Sequence, residues 1–243
     1  MGRKGIRMLL LHEIHEVAGR HEDDFEAAYR EGWAPTLAET GDARLLHFLH
    51  HAHGTGVSYN VVTITWLRDA AAWASLAERV QTGDLARWAR SVDALRHEVT
   101  SKMLVPLPWS PVEQLSASDI PAAADDHDPV IYMEDTVWPY EGALDDYIER
   151  SGAHYAREMS EHADEGTAIL KVESSYRTAF GTGRRREVVL WQRVMKPRAL
   201  SPLIGREVPA RYKQPGTWMH DALELRDRWE SKLLRSARWS PGD

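Results

Sequence analysis

The sequence predicts an α+β protein built of two tandem ferredoxin-like repeats, each reading β-α-β-β-α-β. Three observations carry that prediction. A phrase is written twice: Ser101, Lys102, Leu104, Trp109, Ser110 and Pro111 recur at one spacing as Ser231, Lys232, Leu234, Trp239, Ser240 and Pro241. The same offset continues upstream, where Trp88, Val92, Leu95 and Val99 step as Trp218, Ala222, Leu225 and Trp229 do, an apolar face at helical period. A chain of 243 residues also divides into two units of about 105 to 115 residues, a normal size for one core. Residues 1–111 make the first repeat, 112–128 a linker and 129–243 the second repeat.

Met8 to Val17 alternates as a strand. Leu10, His12, Ile14 and Glu16 fall on one face, and Leu9, Leu11, Glu13, His15 and Val17 on the other. Glu22 to Thr40 reads as a helix with Phe25, Tyr29, Trp33 and Leu37 on one stripe, kinked or divided at Pro35 and broken at Gly41-Asp42. Arg44 to His53 and Val57 to Leu67 are strands joined at Gly54-Thr55-Gly56, where glycine accepts positive φ. Asp69 caps a short helix through Val80. Gly83-Asp84 opens the repeat helix, and Lys102 to Leu107 closes the unit as a strand. Residues 112–128 are polar, alanine-rich and without periodicity.

The pattern then restarts. Val130 to Val137 is a strand and Glu141 to His162 a helix carrying Leu144, Tyr147, Ile148, Tyr155 and Met159. Ala168 to Phe180 and Glu187 to Met195 form a hairpin about Gly181-Thr182-Gly183. Four prolines between Lys196 and Pro215 predict a loop with short helical pieces. The repeat helix and strand end the unit. The halves align with Glu13 on Glu134, Phe25 on Tyr147 and Trp33 on Tyr155.

A net charge of −7 argues against a nucleic-acid platform. With no cysteine, disulfides, thiolate catalysis and Cys-based zinc or iron–sulfur sites are excluded. Arg184-Arg185-Arg186 is the one basic run and reads as a solvated hairpin tip. Arg3, Lys4 and Arg7 precede an apolar run, Met8 to Leu11, that is too short for a signal peptide, and no stretch has the apolar length of a membrane span. A cytoplasmic protein is expected. Gly181-x-Gly183 lacks the strand-to-helix context of a nucleotide loop, and no Gly-x-Ser-x-Gly elbow is present.

Certain stretches resemble the dimeric α+β barrel superfamily and, within it, a tandem NIPSNAP-type protein. They are His12-Glu13-Ile14-His15-Glu16-Val17, the helix around Phe25 and Trp33-Ala34-Pro35, Asn60 to Trp66, and Leu104-Val105-Pro106-Leu107-Pro108-Trp109. In the second half they are Tyr132-Met133-Glu134, Val188-Val189-Leu190-Trp191 and Trp239. The resemblance covers nearly the whole chain outside the linker. It implies that the two four-stranded sheets face each other and close a barrel with helices outside. Here one chain supplies both sheets. Relatives in the superfamily include ligand-binding proteins, cofactor-free monooxygenases, polyketide cyclases, isomerases and haem proteins, so fold alone does not settle function.

Three sets of side chains are candidates for chemistry. Glu13 and Glu134 are expected inside the barrel, if the apolar faces with Leu10, His12 and Ile14 and with Ile131, Met133 and Val137 meet the helices. A carboxylate in an apolar cavity has a raised pKa and can act as a base; the plainer reading is a carboxylate tied to backbone or an Arg. His15 beside Glu13 and Tyr132 beside Glu134 are the natural partners, with Thr65 and Gln192 on the third strands. His47, His51 and His53 share a strand face by alternation, with His50 opposite. They offer a metal, substrate or haem contact, or simply a polar strand end. Tyr59, Trp66, Tyr176 and Trp191 could line an aromatic pocket or pack as ordinary core.

The first reading is an enzyme without a bound redox cofactor or metal that acts on a small hydrophobic, aromatic or polyketide-like molecule by acid–base chemistry. Glu13, His15 and Glu134 would be catalytic, and Tyr132, His47, Tyr59, Thr65, Trp66, Trp191 and Gln192 would line the substrate. Alternatives are a non-catalytic binding or scaffold protein and a haem protein with one of the histidines as axial ligand. A homodimer is the one protein partner the fold class admits; neither nucleic acid nor membrane is expected.

Overall fold

The computed structural model describes residues 8–123, 125–181 and 185–243. Arg3, Lys4, Arg7 and Arg184 and the middle of the Gly181-Thr182-Gly183 turn lie outside the described residues. The first repeat runs β1 (Leu9–Val17), α1 (Glu22–Ala27), a π-helical stretch (Ala28–Trp33), α2 (Ala34–Ala38), β2 (Ala43–His51), β3 (Asn60–Leu67), α3 (Ala70–Gln81), α4 (Ala86–Asp93) and β4 (Arg96–Pro106). The second runs β5 (Ile131–Trp138), α5 (Leu144–Ser151), a π-helical stretch (Gly152–Ala156), α6 (Arg157–Asp164), β6 (Leu170–Phe180), β7 (Val188–Val194), α7 (Leu200–Gly205), α8 (Trp218–Asp221) and β8 (Arg228–Ser236).

The long helix expected in each repeat is therefore split by a π-helical stretch at equivalent positions. Pro35 sits in the first turn of α2, where its missing N–H costs little because the π stretch has already broken the α-helical ladder. The repeat helix is shorter than its apolar stripe. Trp88 and Val92 are helical, but Val99 belongs to β4, which runs beside β1 from Arg96 onward. Pairing along that whole edge satisfies more backbone groups than one more helical turn would. As expected, Asp69 caps α3, accepting from the Ala72 N–H at 2.9 Å.

The eight strands close a barrel in the order β1-β3-β2-β8-β5-β7-β6-β4. Each repeat keeps the order 4-1-3-2 of a ferredoxin-like sheet, and the two join at β2–β8 and β4–β6. Facing sheets and intramolecular closure are both as expected.

The repeated phrase is the clasp of that barrel. Trp109 leaves the first repeat and donates Nε1–H to the Ile148 carbonyl of the second at 2.8 Å. Trp239 leaves the second and donates to Glu26 Oε1 of the first at 2.7 Å. The serines reciprocate: Ser110 Oγ accepts from Ser175 N–H on β6 at 2.9 Å, and Ser240 Oγ from Phe48 N–H on β2 at 3.2 Å. A side chain at Gly152 would run into the Trp109 ring, since a Cβ there would lie 2.5 Å from it.

Three apolar layers result. Phe25, Tyr29, Trp33, Leu37, Phe48, Val92 and Trp239 pack between the first sheet and its helices. Tyr147, Ile148, Val188, Leu190 and Leu225 do so in the second repeat. The barrel interior holds Leu10, Leu49, Val62, Ile64, Trp66, Leu104, Tyr132, Tyr176, Trp191 and Leu234. The segment 112–128 takes part in that interior. Its 3₁₀ turn (Ala117–Asp119) has a capping box from Ser116, and Ile120 is buried in the interior cluster.

Candidate functional site

The interior contents reverse one expectation. Leu10, His12 and Ile14 line the barrel, and Glu13 and His15 point the other way, under the helices of the first repeat. In the second repeat Tyr132, Glu134 and Thr136 face inward and Asp135 outward. Register supplies the reason. His12 pairs with Lys102 on β4 and Glu134 with Lys232 on β8, and those lysines match in the repeated phrase. The counterpart of Glu134 is thus His12, and that of Glu13 is Asp135. Aligning Glu13 on Glu134 is a one-residue slip, which turns every side chain to the opposite face.

Between the first sheet and its helices lies a buried polar cluster in an aromatic setting. β1 delivers Glu13 and His15, β3 delivers Thr63, the π-helical stretch delivers Tyr29, and β4 delivers Arg96. Arg96 Nη1 lies 2.6 Å from His15 Nδ1. A guanidinium only donates, so Nδ1 accepts and the proton of the neutral imidazole sits on Nε2. That atom is 2.9 Å from Thr63 Oγ1 and 3.3 Å from the Tyr29 hydroxyl. Burial, reinforced by the Arg96 charge, holds the His15 pKa well below its ordinary value. Burial pushes the Glu13 carboxyl up to about 7, with Arg96 opposing and Asp93 adding. The Tyr29 hydroxyl is held well above its usual range by burial and then by the charge of Glu13.

Around this cluster Phe25 and Tyr29 contact the His15 ring at 5.1 and 5.5 Å, and Trp33 stacks on Trp88 at 4.4 Å. Trp33 Nε1 and Thr65 Oγ1 are buried in the same layer without a hydrogen-bond partner among the described residues. The second repeat repeats the plan with weaker chemistry. Tyr155 donates to Gln192, Gln192 to Asp135 at 2.9 Å, and Ser231 to Asp135, whose pKa burial raises.

Inside the barrel His12 Nε2 lies 2.7 Å from Glu134 Oε2, both fully buried. Burial would raise the Glu134 pKa, but His12 and the nearby lysines hold it well below the carboxylate range. A pocket of about 200 Å³ opens above the pair at one mouth, lined among others by Thr136, Lys102 and Lys232. Toward the other mouth His47 contacts Tyr132 and Trp191, each at 5.5 Å, Tyr132 donates to Asp243, and Ile120 caps the interior.

The predicted residues therefore separate. Glu13, His15 and Thr65 lie in the sheet–helix layer of the first repeat, and Gln192 in that of the second. Glu134, Tyr132, His47, Trp66 and Trp191 share the barrel interior, as does Tyr176. Tyr59 joins neither group. It is half-exposed at φ +62°, accepts the Val17 N–H, and lies over Gly19 outside the barrel. Tyr29, Arg96, Thr63 and His12 were missed as site residues. Tyr29 was visible only as a member of an apolar stripe, whereas the matched lysines 102 and 232 carried the signal that could have found His12.

The histidines of β2 also part company. A bulge between Leu45 and His47 resets the alternation, the strand ends at His51, and His53 is exposed. His50 turns outward to Glu22 and Glu26 at 3.2 and 3.0 Å. Among the described residues no group of three or more His, Asp and Glu is arranged to hold a metal. Among the histidines of β1 and β2 none offers an open axial position for haem. His12, His15 and His50 are held by the partners just named, and His47 is boxed by aromatic rings. His51 is covered by Gly56, where a Cβ would lie 2.4 Å from Nδ1.

Solved structures share this architecture. A provisionally named monooxygenase from Lactobacillus acidophilus NCFM superposes with a TM-score of 0.60 at 9% identity, covering 97% of each chain. An anthrone oxidase-like protein superposes at 0.54 and 6% identity, covering 99% of this chain and 96% of its own. The fold is that of the dimeric α+β barrel proteins. A NIPSNAP-like domain protein from Burkholderia xenovorans aligns with 44% of this chain and 91% of its own, at 20% identity and a TM-score of 0.37. No protein-family model and no curated protein matches the sequence. No helix among the described residues is long and apolar enough to cross a membrane.

Proposed function

We propose that this α+β barrel protein is an enzyme that acts on a small hydrophobic, aromatic molecule by proton transfer, without a redox cofactor. The observation that carries the reading is the Glu13 cluster: a half-buried carboxyl poised near neutrality, grouped with a neutral histidine, a tyrosine hydroxyl and an arginine. A base with pKa near the working pH is the most effective one. Glu13 takes a proton from an acidic C–H or O–H of the substrate. Arg96, with the Tyr29 hydroxyl, stabilises the anion that develops. Trp33, Trp88 and Phe25 supply the aromatic surface, and the unpartnered Trp33 Nε1 and Thr65 Oγ1 receive polar substituents. Glu134 and the interior aromatics are left out of this reaction, because the first sheet lies between them and Glu13.

The test is native mass spectrometry against a panel of aryl ketones and polyphenols, followed by turnover of any retained compound. Glu13→Gln is expected to lower kcat by about 10²- to 10⁴-fold, with the compound still bound. Turnover unchanged in Glu13→Gln sinks the reading. The Ile120-plugged, side-chain-filled end of the barrel favours a second reading, a protein that binds without turnover. Retention of a compound with no conversion by the parent protein would select it.

A further inference from the structure

The sheet–helix cluster leaves unexplained the charged pocket at the open mouth of the barrel. Nothing in the packing of the fold requires two lysines there. Each is about one-eighth exposed, and they occupy equivalent positions on β4 and β8. Long cations at inward positions are costly unless something uses their charge.

Their present partners do not use them equally. Lys102 Nζ donates to Glu187 Oε2 at 2.8 Å, and Glu187 also receives the Trp138 indole N–H at 2.9 Å, a closed set. Lys232 Nζ lies 3.4 Å from Glu230 and 3.6 Å from Glu134 Oε1, and makes no hydrogen bond among the described residues. Glu230 is itself more than half exposed, so that pair is worth little. On the pocket wall the Thr136 hydroxyl is buried with no hydrogen-bond partner among the described residues, and Glu134 Oε1 has only its long ion pair to Lys232. A buried polar atom without a partner needs an explanation, and on a pocket wall an occupant supplies one. An ammonium held only by two long ion pairs, beside a hydroxyl with no hydrogen-bond partner among the described residues, suits a molecule with an acid group next to a hydroxyl.

Size narrows the class. A volume of about 200 Å³ corresponds to about seven waters at about 30 Å³ each. We propose that the barrel mouth is a second ligand site, separate from the Glu13 cluster. It takes a two- to four-carbon hydroxycarboxylate, whose carboxylate sits against Lys232 and whose hydroxyl meets Thr136. The His12–Glu134 pair forms the floor of the site and fixes the distance between the two sheets.

Calorimetric titration of the whole protein with lactate tests this, with propionate as the same skeleton lacking the hydroxyl and inorganic phosphate as a plain oxyanion. Lactate is expected to bind up to about ten-fold more tightly than propionate, since the carboxylate contact is shared and only the hydroxyl contact to Thr136 separates them, and more tightly than phosphate, which lacks that pairing of acid and hydroxyl. Lys232→Met, which keeps the apolar stem, should weaken lactate at least about ten-fold. Thr136→Val should erase the difference between lactate and propionate while leaving propionate unchanged. Absence of lactate binding, equal binding of propionate, preference for phosphate, or an unchanged lactate affinity in folded Lys232→Met would each overturn the proposal. The comparison of lactate with propionate on the parent protein stands even if a variant fails to fold.

Discussion

His12 Nε2 lies 2.7 Å from Glu134 Oε2, joining the first strands of the two repeats at equivalent positions in the barrel interior. The pair replaces what an exact repeat would place there, two copies of one residue. Two carboxylates facing each other across a dry interior would repel, and the repeats have diverged so that a histidine meets the carboxylate at hydrogen-bond distance.

Breaking that pair should be costly. Removing one partner of a buried hydrogen-bonded pair leaves the other polar group unsatisfied, which typically costs about 1–3 kcal/mol and more where that group is charged. His12→Leu and Glu134→Leu should each lose stability on that scale in urea unfolding. The double substitution should recover most of it, and additive losses would show that the two groups do not act as a pair.

Glu13 makes stability depend on pH in a stated direction. Its carboxyl ionises near 7 in the fold against an ordinary 4.5. Between those values the folded state holds the extra proton, so stability falls as pH rises through that window, by about 1.4 kcal/mol per unit. His15 opposes it. Its folded pKa is depressed, so its contribution is lost as pH falls below 6.5. Glu13→Gln should therefore gain on the parent at pH 8 by about 3 kcal/mol relative to any difference at pH 4.5. The same offset at both pH values would contradict a raised Glu13.

The clasp should be unequal on its two sides. Trp239 is almost fully buried against Phe48 and bonded to Glu26, whereas Trp109 is half-buried. Trp239→Ala should cost about 3–5 kcal/mol and Trp109→Ala measurably less. Gly152→Ala should destabilise because a methyl there meets the Trp109 ring, and pairing it with Trp109→Ala should relieve that loss.

Ile120 tests whether residues 112–128 are part of the core. Ile120→Ala should cost about 2–4 kcal/mol, as for a buried aliphatic side chain, where a substitution in a free linker would cost nothing. Equilibrium unfolding of the variant decides it.

Much of the architecture was legible because it is local or repeated. The matched Trp-Ser-Pro phrases announced two units, β-branched runs marked the strands, and Asp69 marked a cap. Less of the candidate site was legible. Glu13 and His15 were readable as chemically loaded residues on one face of a strand, since alternation puts i and i+2 together. Which face that was could not be read. In β1 the inward Leu10 and Ile14 and the outward Leu9 and Leu11 are all apolar, because a barrel strand covered by helices is buried on both sides.

By itself the sequence determined that there are two ferredoxin-like units, that Lys102 and Lys232 are equivalent, and that Glu13 and His15 travel together. Those facts follow from periodicity and repetition, which the chain carries along its length. Tertiary structure alone decided that Glu13 meets Tyr29 and Arg96 while His12 meets Glu134. Each of those meetings joins residues from separate elements, the second across 122 positions. Such contacts depend on strand register and barrel closure, and a one-residue change in register would exchange every one of them.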